Sequence, residues 1–242
     1  MSYNFTLAQL SLLIREPGES ENWYEPLCAA MDQYEINSAI RISSFLTHCA
    51  YMTKRFTEME EDLSYSAEDL VKTWPNIFTV ENAVSYAGNP EKIANKAYSN
   101  ILGNGSEESG DGYKFRGRGL LMIRGRGDYT TCSQTLFRDS RLVDTPDLVK
   151  EKPTCIDSAG WFWSTNNYNV RYDADTKYVQ FGMPGNAAFV ANTTLDNTAS
   201  IPNITIINTG GKSEAALTSR ESQSAISNYS SLLPFILEIT KV

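Results

Sequence analysis

The sequence predicts one mainly α-helical domain with a small β component, an α+β protein, over all 242 residues. Apolar residues recur at helical spacing through most of residues 5–165. A glycine- and arginine-rich stretch at residues 110–126 interrupts that pattern. Between residues 166 and 208, Asn, Thr, Gly and alternating apolar residues replace it, so we expect a β-leaning or irregular insertion within the same domain.

The first part of the chain is expected to fold around one buried helix. Residues 5–34 have helical periodicity with a break at the turn-forming cluster 16–20. Asn37 and Ser38 offer an N-cap for the next helix. That helix, residues 39–52, carries little charge on any face, which is typical of a central helix. Its C-terminal end, near Met52, is therefore expected to point at whatever the core surrounds.

Capping residues and prolines mark the helices that follow. A helix opens at Ser66 and stops at Pro75, and residues 80–102 read as one or two helices with a fresh start at Pro90. Further helices are predicted over residues 128–137, 144–149, 153–163 and 213–239. Residues 54–66, which lead into the helix that opens at Ser66, contain an acidic cluster. Such a cluster is usually a solvated face; the alternative is that it supplies a carboxylate to a functional site.

The stretch 110–126 combines glycines with arginines and with residues that favour β-structure. We interpret it as a short, bent strand or hairpin at the wall of a groove, because Tyr113, Phe115, Leu121 and Ile123 suit a pleated surface. A phosphate-binding glycine loop would need a helix to open at its last glycine. Here Gly119 is followed by a run that predicts a strand, so phosphate binding is not expected.

Charge and targeting signals exclude several partner classes. The formal net charge of −8 argues against nucleic acid and anionic membranes, because phosphate contacts need surplus Lys and Arg. The N-terminus lacks the basic start and cleavage site of a signal peptide, so we expect the chain to remain in the cytoplasm where it is made, or to leave without secretion.

Cysteine and histidine usage predicts neither a metal site nor a cofactor. The four cysteines lack zinc-site spacing and are expected to be buried free thiols; they are Cys28, Cys49, Cys132 and Cys155. The single histidine, His48, cannot build a histidine-rich metal site, and no nucleophile motif accompanies it. We expect it to be a partly buried helix residue.

Five blocks of residues, in this order, carry a family resemblance. They are residues 40–46 (Ile-Arg-Ile-Ser-Ser-Phe-Leu), 61–68 (Glu-Asp-Leu-Ser-Tyr-Ser-Ala-Glu), 89–95 (Asn-Pro-Glu-Lys-Ile-Ala-Asn), 103–105 (Gly-Asn-Gly) and 109–120 (Ser-Gly-Asp-Gly-Tyr-Lys-Phe-Arg-Gly-Arg-Gly-Leu). Together they resemble the glycoside hydrolase family 19 chitinases, most of all the phage-type endolysins of that fold. The resemblance implies a lysozyme-like helical fold with a groove for β-1,4-linked amino sugars. It also implies inverting hydrolysis by an acid and a base carboxyl group about 6.5–9.5 Å apart.

Several site positions depart from the family pattern. The family's His and its general-acid Glu fall on Tyr51 and Met52, whereas the second family carboxylate is kept as Glu61. The family's sugar-holding Gln and its water-positioning Ser or Thr fall on Met122 and Arg124. A family Asn near the C-terminus falls on Thr209.

These departures predict an inactive lysozyme- or chitinase-like domain. A structural or binding component of a phage particle, in its tail or baseplate, fits the endolysin-like framework. The expected partners are then other virion proteins or a cell-wall amino-sugar polymer, with Tyr65, Tyr113 and Arg118 as candidate sugar-binding residues. In an inactive site, Glu61 is expected to form a structural ion pair with Arg118, Arg124 or Arg220.

The alternative is an active cell-wall hydrolase of the endolysin type. It would use Glu61 as the base and a substitute acid, for which Glu58 and Glu60 are the candidates. A carboxyl group in an apolar pocket beside Met52 and Met122 would have the raised pKa that a general acid needs.

Overall fold

A computed structural model describes residues 4–169 and three strands within residues 178–208. Residues 4–169 are mostly helical. Their α-helices are α1 (Leu7–Ser11), α2 (Ser20–Gln33), α3 (Ala39–Met52), α4 (Ala67–Thr73), α5 (Val80–Tyr86), α6 (Pro90–Ala97), α7 (Asp111–Lys114), α8 (Gly125–Phe137), α9 (Arg141–Asp144) and α10 (Thr154–Thr165). Two 3-10 turns lie at Glu107–Ser109 and Pro146–Lys150. The predicted mainly helical fold class is confirmed.

Helix starts follow the capping signals in the sequence. The Ser38 hydroxyl accepts the backbone N–H of Arg41 at 3.3 Å and so begins α3. Asn89 caps α6 in the same way, accepting the Lys92 N–H at 3.0 Å, and Pro90 occupies the first helical position. The predicted break at residues 16–20 separates α1 from α2.

Helix α3 is buried, as its composition predicts. Its residues Ile42, Phe45, Leu46, Cys49 and Ala50 belong to the main hydrophobic cluster, together with side chains from α1, α2 and α10. The Phe45 ring meets Trp163 of α10 edge-on, with ring centroids 5.3 Å apart. His48 is buried, at 6% exposure, rather than partly buried, and Trp163 and Tyr168 lie against its ring.

Two smaller clusters complete the helical body. One joins α4, α5 and α6 around Leu70, Phe78 and Ile93. The other joins α8, α9 and α10 around Phe115, Tyr129 and Trp161. All four cysteines are free thiols, buried except for the half-buried Cys28. Among the helices of the described residues, none is long and apolar enough to span a bilayer.

The stretch 110–126 is less β-like than its residue types predict. Residues Asp111–Lys114 form the short helix α7, and strand pairing is reduced to isolated antiparallel bridges from Arg118 to Glu60 and to Ile123. Packing explains the difference. Gly112 lies so close to α6 that a Cβ there would fall 2.2 Å from the carbonyl oxygen of Ala94, and the Tyr113 N–H donates to Asn95 Oδ1 at 2.8 Å.

Helix boundaries near residue 145 also differ from the prediction. The helix expected at 144–149 is replaced by α9, which ends at Asp144, and by the 3-10 turn that starts at Pro146. A residue before proline disfavours the helical conformation, and Thr145 lies outside the helical region with φ −131° and ψ 76°.

Three strands lie in the segment 166–208, which the sequence predicts to be a β-leaning insertion. They are β1 (Tyr178–Gly182), β2 (Ala187–Asn192) and β3 (Ile204–Asn208), and they form one antiparallel sheet in the order β1-β2-β3. Phe181 pairs with Phe189 in the first ladder, and Phe189 with Ile206 in the second. The β-leaning prediction is confirmed at these strands. The predicted helix 213–239, Thr209 and Arg220 lie outside the described residues.

Candidate functional site

Glu61 is joined through its backbone to the glycine-arginine stretch. Its N–H donates to the carbonyl of Gly117 at 3.0 Å, and the Gly119 N–H donates to the carbonyl of Met59 at 2.9 Å. These bonds flank the bridge between Glu60 and Arg118. Because side chains alternate along an extended segment, Glu60 and Glu61 point to opposite sides.

The carboxylate of Glu61 is held by protein groups on both oxygens. Oε1 accepts the backbone N–H of Gly117 at 2.8 Å, and Oε2 accepts the hydroxyl of Tyr98 at 3.0 Å. Oε2 also forms an ion pair with Arg124. These contacts fill three of the roughly four acceptor positions that a carboxylate offers. The Glu61 side chain is only 10% exposed.

Arg124 is fixed on the other side of this ion pair. It is the N-cap residue of α8, and its side chain is 12% exposed. The guanidinium lies over the ring of Tyr98, 4.5 Å from the ring centroid. The Tyr98 ring is itself buried against Trp74, at a centroid distance of 6.3 Å. Of the three structural partners predicted for Glu61, the described residues place Arg124 in contact with it.

Each arginine of the stretch 116–126 has both a carboxylate partner and an aromatic ring. The sets are Arg116 with Glu60 and Tyr113, Arg118 with Asp147 and Tyr129, Arg124 with Glu61 and Tyr98, and Arg126 with Asp111 and Phe115. We call these four sets the arginine ladder. Each of its four guanidinium groups is paired with a carboxylate within the protein.

Met122 lies next to Glu61 across Gly117. A Cβ at Gly117 would be 3.2 Å from Met122 Cβ and 3.3 Å from Glu61 Cβ, so only glycine fits between them without a shift. Met122 is buried and has a left-handed backbone, φ 50°, in the turn from Gly119 to Ile123. Met122 is thus a buried apolar residue on the far side of Gly117 from Glu61.

Met52 is the last residue of α3 and is half-buried. The turn that follows has an unusual backbone, since Lys54, Arg55 and Phe56 have φ values of 47°, 65° and 66°. Thr53 and Arg55 stabilise this turn: the Thr53 hydroxyl accepts the Phe56 N–H at 2.8 Å, and the Arg55 guanidinium donates to the carbonyls of Leu12 and Leu13. This anchored turn is the connection from Met52 toward Glu61.

The two candidate substitute acids are both ion-paired. Glu58 pairs with Lys54 at 2.7 Å on the surface. Glu60 pairs with Arg116 at 2.6 Å and with Lys150 at 2.9 Å. Burial alone would raise the pKa of Glu60, but hydrogen bonds and charge from these two cations outweigh it and lower the pKa. That is the opposite of the shift a general acid needs.

The remaining predicted site residues are packed or paired within the protein. Tyr51 is half-buried and packs on the main cluster, and Tyr65 is buried against Trp74 with ring centroids 5.0 Å apart. Tyr113 is half-buried, with the Arg116 guanidinium 4.1 Å above its ring. Arg118 is buried and donates to Asp147 Oδ1 at 2.8 Å and to the Tyr129 hydroxyl at 3.0 Å.

Sequence reasoning missed Tyr98. It lies directly after α6, far from Glu61 in sequence, and nothing local distinguishes it from a core tyrosine. Only the packing of α6 against the glycine-arginine stretch brings its hydroxyl to Glu61. Among the described residues, no group of His, Cys, Asp and Glu side chains could hold a metal ion.

Comparison with known proteins identifies a relative of this chain. A glycosyl hydrolase family 19 domain-containing protein of Haemophilus influenzae is 33% identical over 141 residues, covering 58% of this chain and 69% of that protein. No protein-family model matches the chain. The identity and coverage to that relative, on a mainly helical lysozyme-like fold, show that this chain is a lysozyme/chitinase-like domain and belongs to glycoside hydrolase family 19.

Proposed function

We propose that this family 19 domain has no hydrolase activity and serves as a structural or binding component of a phage particle, in its tail or baseplate. The observation that carries the proposal is the environment of Glu61. An inverting hydrolase needs this carboxylate to take a proton from water. Here Arg124, Tyr98 and Gly117 already occupy most of its acceptor positions.

The general-acid position gives independent support. The family resemblance aligns that position with Met52, and a thioether has no proton to donate. Loss of a general acid costs about 10²–10⁴ in rate. Neither Glu58 nor Glu60 is suited to replace it, because both carboxylates are engaged by cations. The alternative of an active enzyme with a substitute acid is therefore less well supported.

The test of inactivity is clearance of outer-membrane-stripped bacterial cells, followed by turbidity. We expect the wild type to be inert and Met52→Glu alone to stay inert, because Glu61 is still held by Arg124. The combined variant Met52→Glu, Met122→Gln, Arg124→Thr is expected to gain lytic activity. Glu60→Gln serves as a control for a change in a neighbouring, ion-paired carboxylate.

Clearance by the wild type that disappears in Glu61→Gln, with the fold intact by circular dichroism, would establish the active-hydrolase alternative. The particle context rests on the resemblance to phage-type endolysins and needs its own experiment. Mass spectrometry of gradient-purified phage particles from a lysate should find this chain at a fixed ratio to known particle proteins. Its presence only in the soluble fraction would refute the particle role.

A further inference from the structure

The ion pair between Glu61 and Arg124 is the most enclosed pair of the arginine ladder. Both of its side chains are nearly withdrawn from solvent, at 10% and 12% exposure. In the other pairs one partner reaches water: Glu60 is 32% exposed, Asp147 58% and Arg126 42%. A guanidinium that is enclosed between a carboxylate and an aromatic ring fills a space with defined walls.

We propose that Arg124 is an intramolecular plug in a cation-binding pocket, and that this pocket takes a small planar guanidinium-type cation when the Arg124 side chain is removed. The inference rests on the proposed function, in which Glu61 is not a catalytic base. The added claim is that the space beside Glu61 is a cation-binding site, which the Arg124 side chain fills in the native protein.

The walls of the pocket remain in place without Arg124. Gly117 N–H and the Tyr98 hydroxyl each hold one oxygen of Glu61, at 2.8 Å and 3.0 Å, so the carboxylate stays oriented. The Tyr98 ring offers a face for a planar cation. Removing one partner of an enclosed ion pair leaves an uncompensated charge, which favours uptake of a replacement cation.

Guanidinium chemistry fits this pocket better than an ammonium ion does. A planar fork of N–H donors can lie flat on the Tyr98 ring while it donates to Oε2 of Glu61, as the Arg124 side chain does. A compact or donor-free cation cannot make both contacts.

The experiment measures the melting temperature of Arg124→Ala with and without methylguanidinium chloride. The salt is used at about 20 mM, far below denaturing concentrations of guanidinium salts. We expect a rise in Tm of about 3 °C when the probe exceeds its Kd roughly tenfold. Tetramethylammonium chloride at the same concentration controls for ionic strength and for a cation without N–H donors.

Two further variants locate the effect. Glu61→Gln combined with Arg124→Ala should abolish the rise, because the carboxylate is gone. Arg126→Ala removes the more exposed ion pair with Asp111 and should show no rise in Tm with the probe. If Arg124→Ala does not fold, refolding yield with and without the probe replaces Tm as the readout.

Absence of rescue in Arg124→Ala, or equal rescue in the double variant, overturns the plug. Such a result leaves the proposed function intact, because lysis by the wild type is a separate measurement. Conversely, lysis by the wild type would refute the proposed function whatever the probe does to stability.

Discussion

The Thr53 hydroxyl accepts the backbone N–H of Phe56 at 2.8 Å and donates to the carbonyl of Cys49 at 2.6 Å. It thereby joins the last turn of α3 to the left-handed turn that follows. Thr47, also buried on α3, differs: within the described part of the chain its hydroxyl has no hydrogen-bond partner.

Replacing each threonine by the isosteric valine should therefore have opposite consequences. We expect Thr53→Val to lower the free energy of unfolding by about 1–3 kcal/mol, since it leaves the Phe56 N–H unsatisfied. Thr47→Val should be neutral or stabilise by up to about 1 kcal/mol, because it removes a desolvated hydroxyl. Urea unfolding of the two variants checks this, and an equal loss in both would contradict the hydrogen-bond assignment.

Lys54 occupies the position after the C-cap of α3 with φ 47°, where glycine is the usual residue. Glycine at this position would relieve the strain of a left-handed backbone. It would also cost backbone entropy and the exposed ion pair with Glu58, but these losses are smaller. We therefore expect Lys54→Gly to raise the free energy of unfolding by about 0.5 kcal/mol. Lys72→Gly is the matched control, since Lys72 also pairs with a glutamate four residues away but lies within α4. We expect it to destabilise; a loss of equal size in both variants would contradict the strain argument.

The pair of Glu61 with Arg124 should have a large coupling energy. We expect Glu61→Gln and Arg124→Ala each to lower the free energy of unfolding by about 3 kcal/mol, because each leaves a poorly solvated partner charge or donor. A double-mutant cycle by urea unfolding should give a coupling of about 2 kcal/mol. The surface pair of Lys54 with Glu58 is the control and should couple by no more than about 0.5 kcal/mol. Equal coupling in the two pairs would show that enclosure of the first pair has no energetic effect.

His48 should make stability depend on pH. Burial lowers the pKa of this histidine from 6.5 to about 4, so the folded state disfavours its charged form. As the pH falls, the unfolded chain therefore takes up the proton before the folded protein does. The free energy of unfolding that His48 contributes is complete above pH 6.5 and is lost progressively down to about pH 4. The total loss is about 3 kcal/mol. Because His48 is the one histidine of the sequence, His48→Gln should remove this part of the slope.

The measurement is urea unfolding of both proteins at several pH values between 4 and 7. Asp128 and Asp157, whose pKa values are raised by burial, act in the opposite sense, but they are present in both proteins and cancel in the difference. Parallel stability curves for wild type and His48→Gln would exclude the proposed contribution of His48.

The helices were predictable because their signals are local. Ser38 and Asn89 cap helices where the sequence places them, and the uncharged composition of residues 39–52 predicts a buried α3. The glycine-arginine stretch was predicted less well. Its β-forming residue types predict a strand, yet close packing of Gly112 on α6 imposes a helical turn.

Sequence reasoning supplied candidate positions for the site but not the bonds between them. Family resemblance identified Glu61, Met122 and Arg124, and an ion pair of Glu61 with an arginine was one expected outcome. The sequence does not show that Glu61 pairs with Arg124 rather than with Arg118. Arg118 instead pairs with Asp147, which lies in the Pro146–Lys150 turn. The part played by Tyr98 depends on tertiary structure alone.

The bond between Glu61 and Arg124 changes what a glutamate at this position means in related chains. Where the partner position holds a small hydroxyl residue, we expect the glutamate to be open to water, and its presence is then informative about chemistry. Where that position holds arginine, the glutamate is needed to neutralise it, and selection for folding alone would keep it. On the proposed function, the two positions should therefore be read jointly, and arginine beside the glutamate is expected to mark domains that keep the family fold without its hydrolysis.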